Sequence, residues 1–137
     1  MSQNECGAPE ICGPISVRLT DSTINDREAA DCVLRAMRDG VYGRHDLLFV
    51  NEDPGEEFVL ALTTQTMSDR TAILTYDDSH AGCDGRDVYE VWEPLLSPDF
   101  FDECLALSDA ELAQSSCLIG PTDFEACEPT EGTFVCG

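Results

Sequence analysis

The clearest hydrophobic pattern in the chain is a helical stripe within residues 26–39. On a helical wheel of about 100° per residue, apolar residues share one face and charged residues share the other. Asn25 and Glu28 have the spacing of a capping box, and Gly40 suits a left-handed cap at the C-terminal end. These signals predict one long amphipathic helix within residues 24–40. Its apolar face carries Ala29, Ala30, Cys32, Val33, Ala36 and Met37.

Patterns typical of strands follow within residues 46–93. Pro54-Gly55 is the residue pair of a type II turn, and residues 68–70 are short enough for a hairpin connection. Consecutive strands with short connections pair as an antiparallel meander. Residues 57–67 place Leu60 and Leu62 on one face and Val59 on the other. Four strands are predicted, at residues 47–51, 57–67, 71–76 and 88–93.

Two short helices are predicted within residues 97–118. Ser97 followed by Pro98 reads as an N-cap and first helical residue, and Ser108 with Glu111 repeats the capping-box spacing. Because the long helix and one face of the sheet each need a partner, they should pack together. The predicted fold class is therefore α+β, a four-stranded antiparallel meander against one long amphipathic helix, with two short C-terminal helices and a disulfide-tethered tail.

The whole chain, residues 1–137, is expected to form a single domain. Residues 1–23 should be an irregular arm in which 15–19 could form a short strand. Residues 119–137 should be an acidic tail without regular structure.

Eight cysteines add covalent links to this predicted fold. None of them has the C-x2-4-C spacing typical of a zinc or redox motif, which favours disulfides. We expect four disulfides, or three and a free pair; reduced cysteines and a metal cluster are the alternatives. Cys32 should join the long helix to another element, Cys104 should pair with Cys117, and Cys127 with Cys136. Disulfides imply an extracellular or periplasmic location. The eight are Cys6, Cys12, Cys32, Cys83, Cys104, Cys117, Cys127 and Cys136.

The first residues of the chain conflict with this location. MSQNECGAPEICG has neither the basic nor the apolar stretch of a secretory signal. We expect a mature domain with an added start methionine; the rival interpretation is a cytosolic protein with reduced cysteines.

The charge excludes several kinds of partner. Seven arginines and no lysine stand against 28 acidic residues, which gives a formal net charge of -21. Such a chain repels nucleic acid and anionic lipid, and no apolar run approaches the ~18 residues of a membrane helix. We therefore expect no nucleic-acid binding, no membrane insertion and a monomer with an unknown protein or surface partner. A nucleic-acid mimic is a further alternative.

The best metal candidate is the loop of residues 77–87. Its carboxylates suit Ca²⁺, although Ala81 and Val88 stand where an EF-hand needs oxygen ligands. The plainer interpretation is an acidic loop held by Cys83. The candidate ligands are Asp77, Asp78, Asp84 and Asp87.

Catalytic chemistry has little support in the sequence. His45 stands before the first predicted strand of the meander, and His80 lies beside Ser79 in the acidic loop, without a nucleophile elbow. We expect solvated histidines and no catalytic residue. The sequence thus predicts a non-enzymatic secreted or periplasmic domain with a binding or structural role. The alternative is a module that binds Ca²⁺ or a small ligand, through the loop 77–87 or a cleft between sheet and helices.

Overall fold

A computed structural model of the protein describes residues 8–77 and 88–122, which form an α+β fold. Within these ranges a sheet carries helices on one of its faces. The strands are β1 Ile15–Arg18, β2 Thr23–Ile24, β3 Gly43–Asn51, β4 Phe58–Thr66, β5 Thr71–Asp77 and β6 Val88–Pro94. The helices are α1 Arg27–Asp39, α2 Pro98–Leu105 and α3 Asp109–Gln114.

The sheet is mixed, with the strand order β2-β1-β3-β4-β5-β6. Strands β3 to β6 pair antiparallel in sequence order, as the predicted meander requires. The expectation of a purely antiparallel, four-stranded sheet is nevertheless wrong. β1 pairs parallel with β3, with Ile15 opposite Leu47, and β2 adds a short edge. β1 and β3 can pair parallel because α1 lies between them in the chain and supplies the long crossover that parallel neighbours need.

β1 lies within the expected irregular arm, at the segment where a short strand was considered, and β2 begins at its last residue. Ile15 and Val17 alternate with polar neighbours and are fully buried, so this short segment belongs to the sheet. Four residues give too short an alternation to distinguish a strand from a loop by pattern alone.

Helix α1 starts one residue later than the capping-box spacing implies. Asp26 is the N-cap, and its side chain accepts a hydrogen bond from the backbone N–H of Ala29 at 3.0 Å. The side-chain oxygen of Asn25 instead accepts from the backbone N–H of Ser16 at 2.7 Å, which ties the helix entry to β1. Gly40 closes the helix with a φ of 69°, as predicted. With 13 residues, α1 is of ordinary length.

The two short helices begin at the predicted caps. The side chain of Ser97 accepts from the backbone of Phe100, and Pro98 is the first helical residue. Ser108 and Glu111 form the complete capping box. Both helices therefore follow from local sequence signals that tertiary packing does not override.

The core lies between the helices and one face of the sheet. The aliphatic stripe of α1 packs over the inward side chains of β1, β3, β4 and β5, and α2 contributes the fully buried ring of Phe101. Arg70 joins these layers, because its guanidinium donates to the backbone carbonyls of Met37 and Leu96. Helices, sheet and the connection between them are thus fixed around one core.

Two disulfides hold the parts outside the sheet. Cys12–Cys32 fastens the segment before β1 to α1, as expected for Cys32. Cys104–Cys117 joins α2 to the turn after α3, and this pairing was also predicted. The expected Cys127–Cys136 pair, together with Cys6 and Cys83, lies outside the described residues.

Candidate functional site

Within residues 8–77 and 88–122, no helix lies on one face of the sheet over much of β1, β3 and β4, and we call this surface the open face. The alternation in β3 decides which side chains reach this face. Leu47 and Phe49 are buried under the helices, whereas Leu48, between them in sequence, points to the opposite face and is 37% exposed. Further along, Gln65 and Ile73 are buried, so the open face ends before them. It consists of Ser16, Arg18, Asp46, Leu48, Val50, Val59, Ala61 and Thr63.

The centre of the open face is apolar. Leu48 lies directly opposite Ala61, and Val50 lies opposite Val59, so their side chains are cross-strand neighbours. Val59 is 55% exposed, the highest value for any large apolar side chain in the described residues. A shallow groove of about 240 Å³ runs beside them, between Pro14 and the β3–β4 pair. Clustered exposed apolar side chains of this kind mark surfaces that contact other molecules.

Polar groups flank the apolar centre, and the cations among them are engaged. On one side Asp46 accepts a hydrogen bond from Thr63 at 3.3 Å and lies 3.5 Å from the guanidinium of Arg44. Arg44 also contacts Glu10 at 3.4 Å. On the other side Arg18 lies 3.5 Å from Glu52. Both arginines are therefore compensated by carboxylates of the same chain.

Contrary to the prediction, His45 lies within a strand and not in solvent before it. β3 begins at Gly43, and the alternation through Leu47 and Phe49 carries His45 to the helix side, where it is 0% exposed. Its two ring nitrogens have no hydrogen-bond partner among the described residues. Burial lowers the pKa of His45 to about 4, although the neighbouring charge of Asp46 acts in the opposite direction. His45 is thus a neutral core residue that a substrate cannot reach.

The polar surroundings of His45 were not predicted. Thr64, which pairs with His45 across the β3–β4 register, and Thr66 are also buried. Their hydroxyl groups likewise have no hydrogen-bond partner among the residues that the structure describes. The burial of His45 has a signal in the sequence. Every second residue of β3 faces the helices, and counting backwards from Phe49 and Leu47 reaches His45.

The proposed calcium ligands cannot be assembled from the described part of the chain. Asp77 is the last residue of β5, and its backbone pairs with Val88 at the start of β6. Asp78, Asp84 and Asp87 lie outside the described residues, as do His80 and Cys83. In residues 8–77 and 88–122, no group of three or more metal-binding side chains is present. The Ca²⁺ site therefore stays a prediction.

The space between sheet and helices, which the alternative interpretation treats as a cleft for a small ligand, is filled by side chains. Leu34, Leu62, Leu74 and Phe101 lie in this layer and are fully buried. The apolar face of α1 packs closely on the sheet and leaves no cleft there, because a small α+β core needs these side chains in contact. A second groove, of about 330 Å³, lies outside the core beside the Cys12–Cys32 bridge and the start of α1.

The open face was missed at the level of sequence, although a signal for it exists. Residues 47–50 are four consecutive apolar residues, and a strand turns successive side chains to opposite faces. Such a run must present apolar side chains on both faces of its sheet.

No helix in the described ranges has the length and apolar character needed to cross a bilayer. Comparisons of the chain with protein-family models, curated proteins and solved structures gave no match. The functional argument therefore depends on the geometry of this chain alone.

Proposed function

We propose that this protein is a non-enzymatic, disulfide-stabilised domain that acts in an oxidising compartment, outside the cell or in the periplasm, and binds a partner through its open face. The observation that carries the proposal is the pair of disulfides, each of which joins two separate elements of the fold. Bridges of this kind persist in oxidising compartments and are rare in the cytosol.

The positions of the bridges favour a structural role for the cysteines. Cys104 and Cys117 are buried in the core cluster, with 1% and 3% exposure. Cys12 packs against the same cluster. Buried, paired sulfurs offer neither the accessible thiolate of a catalytic cysteine nor ligands for a metal. We therefore assign these four cysteines to stability.

A binding role is favoured by the contrast between the two faces of the sheet. The helix side encloses a filled core, whereas the open face leaves Leu48 and Val59 in contact with solvent at the centre of the sheet. The exposed part of these side chains gains no hydrophobic burial in the isolated domain. They can contribute binding free energy when a partner removes them from water.

Intact-mass measurement under non-reducing conditions tests the proposal. Each disulfide lowers the mass by two hydrogens, and peptide mapping should recover Cys12 linked to Cys32 and Cys104 linked to Cys117. A variant with Cys104→Ala and Cys117→Ala serves as the control, because it should lose one bridge only. Free thiols at all four positions in folded protein isolated from its source would contradict the proposal.

A further inference from the structure

The apolar centre of the open face ends at an acidic turn. Val50 and Val59 are paired, the next pair closes β3 and β4, and the chain then turns through residues 52–57. Gly55 has a φ of 84°, and the backbone N–H of Glu56 donates to the carbonyl of Asp53 at 2.9 Å, which together form the predicted Pro-Gly turn. The carboxylates of this acidic turn belong to Glu52, Asp53, Glu56 and Glu57.

The charge around the open face is negative after its internal ion pairs are considered. Arg18 is shared between Asp21 and Glu52, at 3.6 and 3.5 Å. Arg44 is shared between Glu10 and Asp46, so each arginine faces two carboxylates. Glu56 and Glu57 add exposed acidic groups at the turn. Together with the net charge of -21, this distribution repels anionic partners and attracts cationic ones.

The position of the open face limits how a partner can bind. β3 is paired on both sides over residues 47–50, with β1 and β4, and β4 is paired on both sides from Ala61 to Thr66, with β3 and β5. Over these residues a partner contacts the open face through side chains and does not add a strand to the sheet. A second copy of the chain is disfavoured, because it would bring the same acidic turn and the same net charge to the interface.

We infer that the open face binds a cationic polypeptide segment, which places aliphatic side chains on Leu48, Val50 and Val59 and lysine or arginine side chains against the acidic turn. The inference rests on the proposed function and names the partner of the same surface. Apolar contact supplies affinity, while opposite charges accelerate association and set the orientation.

A synthetic peptide of about ten residues, with leucine alternating with serine and two lysines at one end, is the probe, because an extended chain of this kind presents aliphatic side chains on one side and cations at its end. Its binding to the full, oxidised protein is measured by calorimetry at low and high salt. We expect affinity to fall with salt, and Leu48→Thr with Val59→Thr to weaken binding roughly tenfold or more.

Val41→Thr is the matched control. Val41 is 45% exposed, close to the exposure of Val59, but it lies after α1 and outside the open face. Its substitution should leave the affinity unchanged. Threonine keeps strand propensity, and thermal unfolding of each variant checks that the domain is folded.

The charge requirement has its own variants and probe. Glu56→Gln with Glu57→Gln should weaken binding at low salt and reduce the salt dependence. The same peptide with glutamates in place of the two lysines should not bind.

Three results would overturn the inference: unchanged affinity in the Leu48 and Val59 double variant, equal binding of the acidic peptide, or self-association of the protein that the double variant abolishes. Each of these leaves the disulfides intact. The proposed function is tested separately: reduced cysteines in the intact-mass measurement would contradict it, whatever the peptide does.

Discussion

The buried imidazole of His45 makes the stability of this domain depend on pH in a defined window. In the unfolded chain His45 has an ordinary histidine pKa of 6.5, whereas burial lowers its pKa to about 4 in the folded state. Between these values the unfolded chain binds a proton that the folded chain does not. Stability contributed by neutral His45 is therefore fully present above pH 6.5 and is lost as the pH falls from there to about 4.

The size of this effect follows from the displacement of the pKa. At about 1.4 kcal/mol per pH unit, a change from 6.5 to about 4 corresponds to about 3 kcal/mol, most of which is lost by pH 4.5. This is a large share of the ~5–15 kcal/mol typical of a domain. The side chain is 0% exposed, so solvent screening does not reduce the value.

Urea unfolding of the wild type and of His45→Leu at pH 7.5 and 4.5 measures the effect. Titration of the many carboxylates is common to both proteins and cancels in the comparison. The wild type should lose about 2 to 3 kcal/mol more than the variant between the two pH values. Leu74→Val is a non-titrating core control, which should lower stability equally at both. Parallel losses in wild type and His45→Leu, within about 0.5 kcal/mol, would refute the reasoning.

Three further predictions concern the bridges, the end of α1 and the acidic loop. Replacing Cys12 and Cys32 with alanine removes a link across 20 residues and should lower the free energy of unfolding by about 3 kcal/mol, with no change if the bridge does not form. Gly40→Ala should cost more than ~1 kcal/mol in urea unfolding, because φ is 69° and the new Cβ would lie 2.9 Å from Cγ of Arg70; a neutral effect would contradict this geometry. If the loop with Asp84 and Asp87 binds Ca²⁺, millimolar Ca²⁺ should raise the melting temperature, and Asp84→Asn with Asp87→Asn should remove the rise. No shift in the wild type would end the calcium hypothesis.

Much of the architecture could be predicted from local signals. The caps at Ser97 and Ser108, the left-handed Gly40 and the turn at Pro54-Gly55 all appear in the structure where the sequence places them. Each depends on interactions within a few residues. Pairing of Cys104 with Cys117 was predictable for a related reason, since only 13 residues separate the two cysteines and the short helix α3 lies between them.

The candidate binding surface could not be derived in the same way. Whether Leu48 or Leu47 faces the core depends on where α1 lies, and alternation alone assigns two faces without saying which one a helix covers. The burial of His45 depends similarly on how far β3 extends towards Gly43. Both questions are decided by packing between elements distant in the chain.

Local signals in the chain specify the three helices, the caps of α2 and α3, the hairpin turns and the negative charge, because propensity, capping and charge act within a turn or over the whole molecule. Packing between distant segments decides that β1 joins the sheet beside β3, that His45 is buried and that one face of the sheet carries no helix in the described residues. Strand pairing and burial depend on long-range contacts, whose partners no local pattern specifies.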